Sequence, residues 1–188
     1  MTKNDLNQNA KLVKKLINSF ENEFNFENEP INRFKTFLKK DETNNDDKNK
    51  KLLKLKKQIN SIENCNLKIN SKNLVFGDGN VDSSIMLVGE SPGTKEDASG
   101  QTFQGDVGAL LNKMLKAIDI NKEDIYTTYT VNFRPPDDRK PTSQEIKRYS
   151  VFLKEHISII NPKIIILMGS TAMEAVTGLN NKISNERG

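Results

Sequence analysis

The residues that could do chemistry cluster on one glycine-rich turn, Gly89-Glu90-Ser91-Pro92-Gly93, and on the stretch that follows it, TKEDASGQTFQGDVG (94–108). The cluster offers the carboxylates of Glu90, Glu96 and Asp97, the hydroxyl of Ser91 and the flat apolar face of Phe103. Gly89 and Gly93 let the backbone approach a ligand, and Pro92 stiffens the turn between them. A loop of this build presents N–H groups to an anionic or carbonyl oxygen. A second loop, FRPPDDRK (133–140), is stiffened by Pro135 and Pro136 and carries Arg134, Arg139 and Lys140. These three cations are candidates for phosphate contacts in DNA binding; exposed loop charge accounts for them nearly as well without further context.

Elements with legible periodicity must position these loops. Ser84 to Val88 is a short apolar run and predicts a buried strand entering the glycine turn. Val107, Leu110, Leu111, Met114, Leu115 and Ile118 recur at helical spacing, which predicts an amphipathic helix with one apolar face leaving the loop. DIYTTYTV (124–131), rich in β-branched and aromatic residues, predicts a second strand. Thr142-Ser143-Gln144-Glu145 is a capping box and opens a long helix with Ile146, Tyr149, Leu153, Ile157 and Ile160 on one face. His156, the only histidine, lies on that helix and reads as a structural residue. KIIILM (163–168) predicts a strand of the kind buried in a parallel sheet. A last helix follows Gly169-Ser170-Thr171, with Gly178 as its terminator. This order of strands and helices implies an α/β fold, a three-layer α/β/α sandwich with a short parallel sheet and right-handed crossovers. Ligands of such sheets bind at the carboxyl ends of the strands. There the loops bring Glu90, Ser91, Glu96, Asp97, Phe103, Tyr129 and Arg134 together.

The ends and the composition bound the rest. The chain has 188 residues, 29 Lys and Arg against 25 Asp and Glu, and one Cys. The mild net charge of +4 is compatible with nucleic-acid binding without demonstrating it. One Cys excludes an internal disulfide framework and a multi-cysteine metal site within the chain. No run reaches the length of a membrane span, and Met1 to Asp5 is polar, so a cytoplasmic chain with no membrane partner is expected. Leu12, Val13, Leu16, Ile17 and Phe20, and then Phe24 to Leu38, predict a helical N-terminal appendage over residues 1–38. KKDETNNDDKNKK (39–51) has no apolar residue and predicts a charged, mobile linker. Residues 52–188 are expected to form the main domain.

The full string from Gly89 to Leu111 resembles the first motif of the family-four uracil-DNA glycosylases, roughly GEAPG-x-x-ED-x-x-G-x-PF-x-G-x-x-G-x-LL. Tyr126, Arg134-Pro135-Pro136, Arg139, Pro141-Thr142, Glu145-Ile146, Pro162-Lys163 and Gly169 continue the resemblance, which covers about Cys65 to Gly188. It implies a hydrolase of base-excision DNA repair that cleaves the N-glycosidic bond of uracil. The base is flipped from the stack into a pocket. DNA, single- or double-stranded, is then the partner, and a monomer is expected. By the same resemblance Glu90 and Glu96 position water or organise the loop. The N–H groups of the loop, with Gly89 and Gly93, stabilise charge on a uracil carbonyl, and Phe103 stacks on the flipped base. Ser91 stands where the family has Ala. Its hydroxyl can orient a water but cannot serve as a base at neutral pH.

Three departures accompany the resemblance. The family holds a four-iron cluster with four cysteines; here Cys65 matches the second, while Ile62, Phe133 and Tyr149 stand at the other three. One thiolate cannot hold such a cluster, so no metal cofactor is expected and apolar packing should fill the site. The family reads uracil with an Asn at the end of the second strand, where this chain has Tyr129; Asn132 is near but alternation turns it to the opposite face. The family also continues past Arg187-Gly188 with a further strand and a histidine-bearing loop. The chain as given is therefore expected to be a poor or inactive glycosylase, with its last strand an uncovered sheet edge. A catalytically inert DNA- or partner-binding derivative or fragment of the fold is the competing reading. A nucleotide-binding regulatory domain finds no GxGxxG or P-loop string to support it.

Overall fold

The computed structural model describes residues 42–179, 181 and 183–185, so the appendage expected over residues 1–38 lies outside the described residues. Helix α1 spans Glu42–Asn60, where the sequence offers neither Gly nor Pro. This corrects the expectation of an open linker to residue 51. The polar first half of α1 is held by tertiary contacts rather than by apolar surface. Lys48 Nζ donates to the carbonyls of Ile160 (3.1 Å) and Val81 (3.4 Å) and pairs with Asp82 at 3.4 Å. Farther along, Leu52, Leu55 and Ile59 turn one buried face to the core.

The order continues with α2 (Asn66–Asn70), β1 (Asp78–Gly79), β2 (Ile85–Gly89), α3 (Thr94–Ser99), α4 (Gly105–Lys116), β3 (Tyr126–Tyr129), α5 (Ser143–Ile160), β4 (Ile164–Leu167) and α6 (Ser170–Thr177). The sheet order is β1-β3-β2-β4. β2 pairs in parallel with both β3 and β4, as expected, but β1 adds an antiparallel two-residue strand beside β3 that no periodicity announced. Met86 and Val88 of β2 face a core built with Leu55 and Ile59 of α1, Tyr149, Leu153 and Ile160 of α5, and Ala172 and Ala175 of α6. Leu87 faces the other way, into a smaller core with Leu111 and Leu115 of α4, Ile125 and Tyr129. The result is three layers, each side held by apolar side chains whose full burial contributes roughly 1.5–3 kcal/mol apiece.

Two expectations about apolar faces are corrected. On α4 only Leu111 and Leu115, one rib at i and i+4, join the core, while Val107, Leu110 and Met114, and Ile118 just beyond the helix end, are about 60% exposed. The wide apolar stripe is thus only partly covered. β4 is at the sheet edge among the described residues, as expected of the last strand, but is not the fully buried strand that its apolar run predicts. Ile164 and Ile166, registered against Ile85 and Leu87, stay 55% and 41% exposed on the α4 side, and only Ile165 and Leu167 join a core.

His156 is structural, as expected. It is 2% exposed, stacks on Phe76 at 4.4 Å, and shares a 2.9 Å hydrogen bond between Nε2 and the Tyr126 hydroxyl. Burial pushes its pKa down to about 3, so the ring is neutral. The Thr142 capping box forms as the sequence predicts: Thr142 Oγ1 accepts the Glu145 N–H and the Glu145 carboxylate accepts the Thr142 N–H. Gly178 ends α6 with φ of 77°.

Candidate active site

The glycine turn leaves the carboxyl end of β2 and remains stitched to the strand beside it. The Thr130 N–H donates to the Gly89 carbonyl at 2.8 Å, and the Val131 N–H to that of Glu90 at 3.4 Å. Glu90 is half-buried, and its Oε2 accepts the Thr171 hydroxyl at 2.7 Å. Thr171 belongs to α6, so the last helix orients the first carboxylate of the loop. Oε1 of Glu90 makes no hydrogen bond among the described residues. Ser91 is half-buried, and its hydroxyl likewise has no partner among them.

Glu96 does a different job. It is 7% exposed, and both its oxygens are committed to backbone: Oε2 accepts the Gly93 N–H at 3.0 Å and Oε1 the Gln104 N–H at 2.8 Å. One buried carboxylate thus clamps the two ends of the segment that carries Phe103. Hydrogen bonds to a charged acceptor are the stronger kind, which suits a brace. Asp97, 3% exposed, repeats the device outward by accepting the N–H groups of Lys72 (2.8 Å) and Asn73 (3.1 Å).

Phe103 lies in the left-handed region with φ of 47° and is 4% exposed. A non-glycine residue there needs support from its surroundings. The support is visible on two sides. Gly108 presses so closely that a Cβ would stand 1.8 Å from the Phe103 carbonyl oxygen, and the Phe103 N–H donates to the Tyr129 hydroxyl at 3.0 Å. The Phe103 and Tyr129 rings lie 4.9 Å apart, tilted by 33°. Gly89 abuts both rings. Burial, as the largest cause, raises the Tyr129 pKa, so its hydroxyl is protonated at neutral pH.

The second loop is drawn in through Asp138. Arg134 donates to that carboxylate from Nε (2.7 Å) and a terminal nitrogen (2.8 Å), and the Thr94 hydroxyl of α3 reaches the same group at 3.3 Å. The Arg134 hydrogen bond holds the Asp138 carboxyl below the usual carboxylate range. Arg139 makes a similar fork with Glu145 at the start of α5, at 2.7 and 2.9 Å, and lowers that carboxyl in turn. Both arginines are therefore paired, whereas Lys140 is exposed with no side-chain partner among the described residues. Of the three cations expected to meet phosphate, Lys140 alone is unengaged among the described residues.

Residues 76–187 match the family described as Uracil DNA glycosylase superfamily. The chain belongs to that superfamily. It is 42% identical over 125 residues to the type-4 uracil-DNA glycosylase of Thermotoga maritima, a match covering 66% of this chain and 65% of that protein. Its identity to the type-4 uracil-DNA glycosylase of Archaeoglobus fulgidus is 36% over 123 residues, covering 65% and 62%. To that of Pyrobaculum aerophilum it is 33% over 137 residues, covering 73% and 70%. The chain thus spans a little under two-thirds of the first two relatives.

Within this superfamily member, the four positions discussed for a cluster come together in one core. Cys65, Phe133 and Tyr149 are buried there and Ile62 packs against them. Cys65 Sγ lies 3.3 Å from the Tyr149 hydroxyl. One thiol, one phenol and two apolar side chains do not match the donor set of a four-iron cluster, which takes four thiolates. Among the described residues no helix is long and apolar enough to cross a membrane.

Sequence reasoning missed Thr171, because a hydroxyl 81 residues from its acceptor carries no local signal. Asn132 does turn from the site, as alternation predicts, and its amide donates to the carbonyls of Val75 (3.1 Å) and Phe76 (3.2 Å).

Proposed function

We propose that this chain is a DNA-repair glycosylase that hydrolyses the N-glycosidic bond of uracil in DNA. The observation that carries the reading is Glu90, held at the carboxyl end of β2 by Thr171 with one carboxylate oxygen left over among the described residues, beside the clamped loop that bears Phe103. Its relatives named type-4 uracil-DNA glycosylases supply the substrate. In the reaction Glu90 and the Ser91 hydroxyl orient a water whose oxygen bonds to C1′ of the deoxyribose as the bond from C1′ to N1 of the base breaks. The bonding electrons leave with uracil, and the proton lost by the water passes to solvent. Glu96 takes no part in that step and keeps the Phe103 segment in register. Phe103 stacks on the flipped base, and Lys140 meets phosphate. The chain works as a monomer in the cytoplasm on single- or double-stranded DNA, and without an iron–sulfur cluster, since Cys65 is the sole thiol.

Alkali-labile sites generated in uracil-containing single-stranded DNA test the reading directly. The expected result is slow strand cleavage that the Glu90→Gln variant loses. One observation favours a second reading, an inert DNA-binding derivative: the Tyr129 ring packed on Phe103. Retardation of the same DNA with no cleavage above the Glu90→Gln level would decide for that alternative.

A further inference from the structure

Tyr129 makes the contacts that a bound ring would make. Its ring lies against that of Phe103. Its hydroxyl oxygen accepts the Phe103 N–H at 3.0 Å. On the remaining side Gly89 approaches so closely that a Cβ there would stand 2.7 Å from two Tyr129 ring carbons and 3.0 Å from the Phe103 ring. An aromatic face, a bare stretch of backbone and an N–H aimed at an oxygen on the rim of a six-membered ring together form a cradle. A pyrimidine with a ring carbonyl satisfies the same three requirements. The cradle is full, since Tyr129 is 5% exposed and Phe103 4%.

We propose that Tyr129 is an internal occupant of the base subsite, and that a pyrimidine reaches Phe103 only by displacing it. This rests on the reading above in which a flipped base stacks on Phe103. The exchange is chemically matched. The Phe103 N–H trades a phenol oxygen for a carbonyl oxygen, so no buried donor is stranded. The aromatic face trades one flat ring for another. What the exchange adds is the exposure of the departing tyrosine, which every incoming base must offset. Apparent affinity falls with the fraction of molecules whose cradle is vacant. Tyr129 is in this sense a specificity residue: a ring without an acceptor on that rim leaves the Phe103 N–H unpaired and cannot compete.

Free uracil reads the exchange with no bond broken. Calorimetric titration of the wild type, Tyr129→Ala and Tyr129→Phe is expected to show at least about tenfold tighter binding once the ring is removed, which is about 1.4 kcal/mol. Tyr129→Phe, which keeps the ring and loses the hydroxyl, should fall between the two. Thermal melting checks that each variant is folded, and Tyr129→Val, which has neither ring nor amide, serves if the alanine variant is not. Uracil affinity of a folded ring-less variant within about twofold of the wild type overturns the proposal. So does a wild-type NMR titration in which uracil contacts the Phe103 ring while the Tyr129 ring signals stay in place. An absence of excision would refute the proposed reaction and leave this result standing.

Discussion

Glu96→Gln separates a brace from a base. The carboxylate accepts two backbone donors, Gly93 N–H at 3.0 Å and Gln104 N–H at 2.8 Å, in a site where the residue is 7% exposed. Glutamine keeps one carbonyl oxygen and turns an NH2 group toward the other donor. One hydrogen bond to a charged acceptor is lost, worth about 1.5–3 kcal/mol, and a buried N–H is left unpaired at about 1–3 kcal/mol. These two figures overlap, since both count the same broken contact, so the expected loss of stability is about 2–4 kcal/mol. For a chain of this length each kcal/mol moves Tm by about 2–4 °C, so a fall of about 4–16 °C follows. Urea denaturation of both proteins reads the change as a shifted midpoint at constant slope. Excision measured on the folded fraction gives the second readout, and it should fall through displacement of Phe103. A variant destabilised by less than about 0.5 kcal/mol, the range of ordinary surface substitutions, yet devoid of excision would refute the reasoning and make Glu96 a group of the chemical step.

Three further outcomes follow from the geometry. His156 is buried neutral with its pKa near 3 against an ordinary value of 6.5, so the unfolded chain takes up that proton first. Its contribution is complete above pH 6.5 and is lost as pH falls toward 3, on the order of a few kcal/mol. Urea midpoints of the wild type should therefore drop more steeply over that window than those of His156→Phe, and equal slopes would contradict the assignment. Gly108→Ala places a Cβ 1.8 Å from the Phe103 carbonyl and should cost about 1–3 kcal/mol, the scale of overpacking, checked by thermal melting. Lys140→Ala should reduce the salt dependence of DNA binding by about one phosphate contact, a slope change of roughly 0.7–0.9, while Arg139→Ala, already paired with Glu145, should change it less.

Much of the site was legible because its signals are local. The capping box at Thr142, the stop at Gly178 and the strand entering Gly89 each depend on neighbours within a few residues. The first half of α1 was not legible, since its support comes from Lys48 contacts with Val81, Asp82 and Ile160, and composition alone reads such a segment as solvated chain. The exposed stripe of α4 misled for the opposite reason: helical spacing shows which residues share a face and not which part of that face meets the sheet. The forks of Arg134 and Arg139 depend on where Asp138 and Glu145 turn, and Asp138 does so from a left-handed φ of 51°. Tyr129 was recognisable as an unusual residue at its position, but its place against Phe103 and Gly89 required three separated segments to be folded together.

The bond between Thr171 and Glu90 bears on timing. The two residues are 81 positions apart, and at synthesis rates of about 5–20 residues per second the hydroxyl emerges roughly 4–16 s after the carboxylate it orients. Until α6 has been made and docked, the glycine turn has its internal clamp at Glu96 but Glu90 is unanchored. The clamp joins Gly93 and Gln104, 11 positions apart, whereas the anchor joins residues 81 positions apart, and the shorter loop is the one that costs less to close. A nascent chain that has not reached α6 therefore lacks the hydroxyl that orients Glu90, and alignment of that carboxylate waits for α6.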